Sequence, residues 1–278
     1  MRNLSALLFI LCALAFPCAA GAEITLHQAA SDGAIEDMEL LAKQDAPLEA
    51  IDDDGRTALH TAVDSGQVEA ARWLLTHGAK VDAPDAGDMT PLHIAVWHTD
   101  VGMARLLLKQ GAPLEAKDAQ GHTPLWLAAY ISNRDMVELL LRAGADIHTT
   151  DIDGRGVLHG RAQMGKRYAH QEEITIRLLV KHGADPDAAD PLGRTPLMSA
   201  VLDGSAARVK LLLSLGAKTD IKDEEGDTAL DYAESAEQPD IAALLQAQDA
   251  APSESGTSPP EDSVASPPED SGSALRPQ

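Results

Sequence analysis

The sequence predicts an all-α repeat solenoid, a stack of about seven helix-turn-helix units with hairpin or loop fingers, on three observations. One leucine marks each unit, at Leu26, Leu59, Leu92, Leu125, Leu158, Leu197 and Leu230, and the steps between them are 33, 33, 33, 33, 39 and 33 residues. A fixed period of that length is the signature of modules that stack in a row. Only 3% of the chain is aromatic and its apolar content is mostly Ala and Leu, which suits thin helical layers better than one bulky core. The first six units also close on a short turn: Asp45-Ala46, Gly78-Ala79, Gly111-Ala112, Gly144-Ala145, Gly183-Ala184 and Gly216-Ala217.

Each element of a unit has its own physical reason. Thr57, Thr90, Thr123, Thr195 and Thr228 are placed to cap the first helix, and Pro91, Pro124 and Pro196 follow where a helix needs no amide donor. Small residues such as Ala128 and Ala129 then let neighbouring helices approach closely. Runs such as "RLLLKQG" and "ELLLRAG" make the buried face of a second helix, closed by Gly in a left-handed cap. Trp73 replaces a leucine of this run and is expected in the core. One unit cannot bury both its faces alone, so the units must lean on one another.

The segments "GRTALHTAV", "DMTPLHIAV", "GHTPLWLAA", "GRGVLHGRA", "GRTPLMSAV" and "GDTALDYAE", each followed by a leucine-rich run, resemble the ankyrin repeat over residues 24–248. The resemblance places units near 24–53, 54–86, 87–119, 120–152, 153–191, 192–224 and 225–248.

The two ends differ from this frame. Residues 1–22 carry Arg2, the apolar run "LSALLFILCALAF" and then small residues, the layout of a secretory signal peptide, with cuts after Ala20 or Ala22 both fitting and Ala22 preferred. The apolar run is shorter than the roughly 20 residues that cross a bilayer, so no membrane span is expected after cleavage. Both cysteines, Cys12 and Cys18, lie in this segment, and the mature chain would have no disulfide. Export to a bacterial periplasm is the expectation, with secretion as the alternative. Residues 249–278, rich in Pro, Ser and acid and with "SPPEDS" at Ser258 and again at Ser266, read as a disordered tail.

Composition and spacing argue against several chemistries. A net charge of -22 with dispersed basic residues repels phosphate and disfavours nucleic acid. Of ten histidines, His60, His93, His159 and His27 occupy the position where the resemblance implies a bond to a neighbouring loop backbone, and His77 and His182 precede a Gly cap. The remaining His98, His122, His148 and His170 fall in different units without ligand-like spacing, so no metal is expected. There is no Gly-rich phosphate loop, no G-x-S-x-G elbow and no cysteine nucleophile after the signal, so no cofactor or catalytic residue is assigned. The loop acids, as in "DDDG" and "KDEEG", are expected to be a solvated surface.

The resemblance implies a non-catalytic scaffold that binds a protein partner, possible chemistries of which include a basic one, through finger tips and the start of each first helix. Aligning the units puts Met89, Trp97 and His98 of the third, His122, Trp126, Tyr130 and Ile131 of the fourth, Arg155 of the fifth, and Arg194 and Leu202 of the sixth at those places. Aromatic and arginine side chains are what interface hot spots favour. Trp126 stands where His is usual and could equally pack on the next unit. Two functions stay open, a cell-envelope scaffold and an acidic inhibitor or immunity protein against a basic toxin or enzyme; an undetected enzyme is the rival of a different class.

The fifth unit breaks the pattern. Six extra residues fall near Lys166 to Gln171, expected in the turn between its two helices, while Gly156 replaces the capping Thr and Val157 the Pro. No Asp or Glu occurs from Gly154 through Gln171, so Arg161, Lys166, Arg167, Tyr168 and His170 form a secondary basic patch suited to an acidic partner surface. Two further departures are Asp45 at the turn of the first unit and Asp88 at a finger glycine, where Gly87 could serve by a one-place shift.

Overall fold

A computed structural model describes residues 24–160 and 169–249; the signal-like segment, most of the acidic tail and residues Arg161 to Tyr168 lie outside the described residues. Among the described residues thirteen helices run in chain order, α1 (Leu26–Asp32) with α2 (Ile35–Lys43), α3 (Ala58–Asp64) with α4 (Val68–Thr76), and α5 (Pro91–Trp97) with α6 (Val101–Lys109). They continue as α7 (Pro124–Tyr130) with α8 (Arg134–Ala143), a lone α9 (Ala169–Lys181), α10 (Pro196–Leu202) with α11 (Ala206–Ser214), and α12 (Ala229–Ser235) with α13 (Pro239–Asp249). The architecture is the expected all-α solenoid: among the described residues no segment forms a strand, and the fingers hold only two isolated bridges, Ile51 with Thr57 and Thr150 with Gly156.

Threonine starts the first helices as the spacing implied. Thr25, Thr57, Thr90, Thr123, Thr195 and Thr228 all hold extended backbone at the N-cap. The marker leucines Leu59, Leu92, Leu125, Leu158 and Leu197 are at most 3% exposed, and behind them Leu74, Leu107, Leu140, Leu179, Leu212 and Leu245 form a second buried column. The core is therefore a line of thin apolar layers, one per unit.

The fingers are held by their acids, which corrects the expectation of a merely solvated acidic surface. Asp52, Asp85, Asp118, Asp151, Asp190 and Asp223 each accept, at 2.8–3.0 Å, the amide hydrogens of the residues two and four places on. One short carboxylate thus satisfies two donors that the turn cannot pair with backbone. Neighbouring finger tips are joined by backbone bonds from Ala86 to Asp54, Ala119 to Gly87, Ile152 to Gln120 and Glu224 to Leu192, at 2.9–3.0 Å. In the same register Asp153 faces Pro191, which has no amide hydrogen, so this ladder is interrupted between the fourth and fifth fingers.

Four local expectations are corrected. Trp73 is only half-buried, its ring stacked on His77 at 3.8 Å rather than sunk in the core. Asp88 itself adopts the left-handed conformation, at φ 58°, so no shift onto Gly87 is needed. In the fifth unit residues 157–159 form a turn instead of a first helix, consistent with glycines at 156 and 160 and no threonine cap. Its second helix α9 has 13 residues against 9 or 10 in α4, α6, α8 and α11, so the end of the insertion, Ala169 to Gln171, belongs to a helix and not to a turn.

The unpaired seam has a compensation the sequence pattern did not suggest. Arg208 of α11 occupies the place of the fully buried Met103 and Met136 and is 4% exposed. Its guanidinium donates to the Leu158 carbonyl, which has no first helix to enter, and lies 3.8 Å from Glu172 and 3.6 Å from Asp203. Burial, the largest cause, pushes the arginine down from its ordinary pKa while the two carboxylates oppose this, and burial pushes Glu172 up.

Candidate protein-binding groove

The first helices and fingers share a bonding rule that decides which side chains remain available for a partner. In His60 and His93, Nδ1 accepts the amide hydrogen of Thr57 or Thr90 at 3.0 and 3.1 Å. That leaves the proton on Nε2, which donates to the carbonyl of Met89 or His122 in the next unit at 3.1 Å. His159 does the same between the Gly156 amide and the Arg194 carbonyl, at 3.1 and 3.0 Å, and His27 Nε2 lies 2.8 Å from the Arg56 carbonyl. Burial, the largest cause, holds His60, His93 and His159 below the usual imidazole value, so the neutral form fits the frame.

Trp126 takes the same place with a different ring. Its indole N–H donates to the Arg155 carbonyl at 3.0 Å, and the side chain is 6% exposed. The larger ring extends the bonding place into an aromatic column: His122 stacks on Trp126 at 3.9 Å and Trp126 on Tyr130 at 5.4 Å. Trp126 therefore packs on the next unit and also backs a surface.

That surface is a groove of about 460 Å³ between the third and fourth units. It brings together Met89, Trp97, His122, Trp126 and Tyr130 from the sequence-derived set, and adds Arg56, Ile94, Asp118, Gln120 and Leu127. Trp97, at the end of α5, is 54% exposed. Arg56 could have been found from register alone, since it precedes a capping threonine as Met89, His122 and Arg194 do. Asp118 was masked as a loop acid although it sits four residues before His122 and approaches its Nδ1 at 3.0 Å.

The other nominated residues stand apart from the groove. His98 bonds Asp64 at 2.7 Å, and Ile131 is the half-buried C-cap of α7. Arg155 pairs with Asp153 at 3.2 Å and Arg194 with Asp190 at 2.9 Å, each on its own finger, while Leu202 is 51% exposed at the end of α10. Of the basic patch, Arg161, Lys166, Arg167 and Tyr168 lie outside the described residues, and His170 is exposed on α9.

The arrangement offers stacked ring faces and an exposed Trp97 at the rim. Among the described residues no three His, Cys, Asp or Glu side chains converge as a metal cage, and no helix is long and apolar enough to cross a membrane.

Comparison with known proteins bears on the whole stack. The family model described as ankyrin repeats (3 copies) matches residues 4–85, 83–151 and 166–254. Protein phosphatase 1 regulatory subunit 27 of Homo sapiens and of Mus musculus is each 43% identical over 56 residues, which is 20% of this chain and 36% of the length of that relative. The ankyrin repeat domain of Bcl-3, described as a unique member of the IkappaB protein family, aligns with a TM-score of 0.67 at 29% identity, covering 82% of this chain and all of that one. The human ASB11 ankyrin repeat domain aligns with the same TM-score at 25% identity, covering 82% of this chain and 98% of that chain. Repeats of this kind generally mediate protein–protein interaction and are typically non-catalytic. Period, capping, stacked layers and family model agree along most of the sequence, and the chain belongs to the ankyrin repeat family.

Proposed function

We propose that this chain is a non-catalytic scaffold of the cell envelope that holds a protein partner in the groove between its third and fourth units. One observation carries the proposal: an exposed Trp97 and a column of His122, Trp126 and Tyr130 share a single concavity. Such rings bring large contact area at small entropic cost, which is what binding hot spots require. The signal-like residues 1–22 support export. N-terminal sequencing of the mature chain from fractionated cells, with a start at residue 21 or 23 in the periplasmic fraction, is the expected result; an intact N-terminus in the cytosol would remove the envelope part.

Mutagenesis tests the binding face. Trp97→Ala and Tyr130→Ala should each weaken capture of the partner by about tenfold or more while leaving the melting temperature nearly unchanged. Unaltered capture by both variants would remove the groove from the mechanism. The net charge of -22 also favours a second possibility, an acidic inhibitor or immunity protein. An inhibitor should return one basic partner at high affinity from envelope extract, a scaffold several weaker ones.

A further inference from the structure

The charges around the groove suggest what it accepts. Arg56, the arginine that lines it, is already engaged, lying 3.4 Å from Asp64 and 4.0 Å from Asp85, and the His122 ring is occupied by Asp118 at 3.0 Å. The adjoining finger tips carry exposed Asp53, Asp54 and Asp88, none of which makes an ion pair among the described residues. Asp88 directly precedes Met89 of the groove wall, and the tip bearing Asp53 and Asp54 is bonded to the next through the Asp54 carbonyl and the Ala86 amide. The surplus formal charge on the tips beside the groove is therefore negative, while the groove lining itself includes the rings of Trp97, His122, Trp126 and Tyr130.

We propose that the groove takes an arginine or lysine side chain from an extended basic segment of the partner, the cation lying over the exposed rings and facing the finger carboxylates. This rests on the groove being the binding face, as proposed above, and specifies the chemistry of what enters it. A guanidinium is weakly hydrated, stacks on ring faces and presents several donors to carboxylates, so both features of this site act on one side chain. An anionic segment would meet the finger carboxylates and the field of the whole acidic chain.

The three tryptophans give a direct assay. Trp97 and Trp126 line the groove, whereas Trp73 sits on α4 against His77. The probe is a blocked hexapeptide alternating arginine and leucine, compared with peptides carrying serine or glutamate in place of arginine, followed by the indole N–H signals of the ¹⁵N-labelled full chain. The arginine peptide should shift the Trp97 signal saturably, leave Trp73 in place, and bind about tenfold or more tightly than the serine peptide at low salt. The triple change Asp53→Asn, Asp54→Asn, Asp88→Asn should abolish that preference without moving the free-state indole signals. Equal binding of the serine peptide overturns the cation proposal and leaves the binding face standing. So does a Trp73 shift as large as that of Trp97, or no Trp97 shift up to about 5 mM arginine peptide, a concentration corresponding to negligible affinity. Failure of the binding face itself shows separately, as partner capture unaffected by Trp97→Ala and Tyr130→Ala.

Discussion

At the scale of single residues, the histidines act as two-ended struts whose function depends on being neutral. Protonating His60 or His93 would put a hydrogen on Nδ1, against the threonine amide that now donates to it. Both folded-state values lie below the ordinary imidazole value, with burial as the largest cause. The unfolded chain therefore binds more protons, so stability is complete above about pH 6.5 and is lost as pH falls from there through the depressed folded values. The expected result is a melting temperature lower at about pH 5 than at about pH 7.5, with a smaller drop in His93→Met. Methionine is the residue the sixth unit uses at this place, Met198, whose sulfur lies 3.4 Å from the Thr195 amide. An equal drop in His93→Met would detach the effect from this strut. Asp190 works in the opposite chemical sense: burial raises it, but the Arg194 and Leu192 amides and the Arg194 guanidinium outweigh burial and hold it below the usual carboxylate value. Its contribution is present above about pH 4 and disappears as pH falls through the folded value.

At the scale of elements, the fingers separate two reasons for glycine that sequence alone merges. Gly111 and Gly121 both have positive φ, 86° and 78°. A Cβ on Gly111 would meet nothing within 4 Å, whereas one on Gly121 would sit 2.6 Å from the Ile152 amide nitrogen in the next finger. Gly111→Ala should cost about 1 kcal/mol, the conformational penalty alone, and Gly121→Ala clearly more, because the finger ladder must also open. Urea unfolding of the two variants measures the difference; equal losses would mean that the next finger yields without cost. The same comparison explains why the turn glycines were legible, since left-handed closure follows a leucine run in nearly every unit. Crowding between fingers was not legible, because it depends on residues about 31 places away.

At the scale of the whole molecule, the stack has one seam. Units one to four are joined by finger bonds and continuous first helices; at the fifth the finger bond meets Pro191 and residues 157–159 form no helix. Arg208 reaches across this seam to the Leu158 carbonyl, with Glu172 and Asp203 close by. Arg208→Met introduces the apolar residue that the third and fourth units use, yet it leaves the carbonyl of the buried Leu158 without this donor and removes the cation beside the half-buried Glu172. The expected loss is about 1–3 kcal/mol, the cost of a buried acceptor left without its donor, concentrated at the seam. All three tryptophans lie in units two to four, so fluorescence reports the first part of the stack while circular dichroism reports all of it. In Arg208→Met the two urea transitions should separate, the fluorescence transition falling at higher denaturant, as expected for a solenoid whose nearest-neighbour coupling is cut. Coincident transitions would show that the seam does not limit cooperativity.

The sequence by itself determined the period, the helix starts at threonine, the leucine columns and hence the family. All of these follow from contacts within a unit or between identical places in adjacent units, which a repeat writes out again and again. It also nominated Met89, Trp97, His122, Trp126 and Tyr130, because register shows which places face outward. Only the tertiary structure decided that these five share a groove with Arg56 and Asp118, that the finger acids are internal fasteners, and that Arg208 closes the seam. Those outcomes depend on the direction of individual side chains across a unit boundary, where departures from the repeat meet one another and periodicity has nothing further to say.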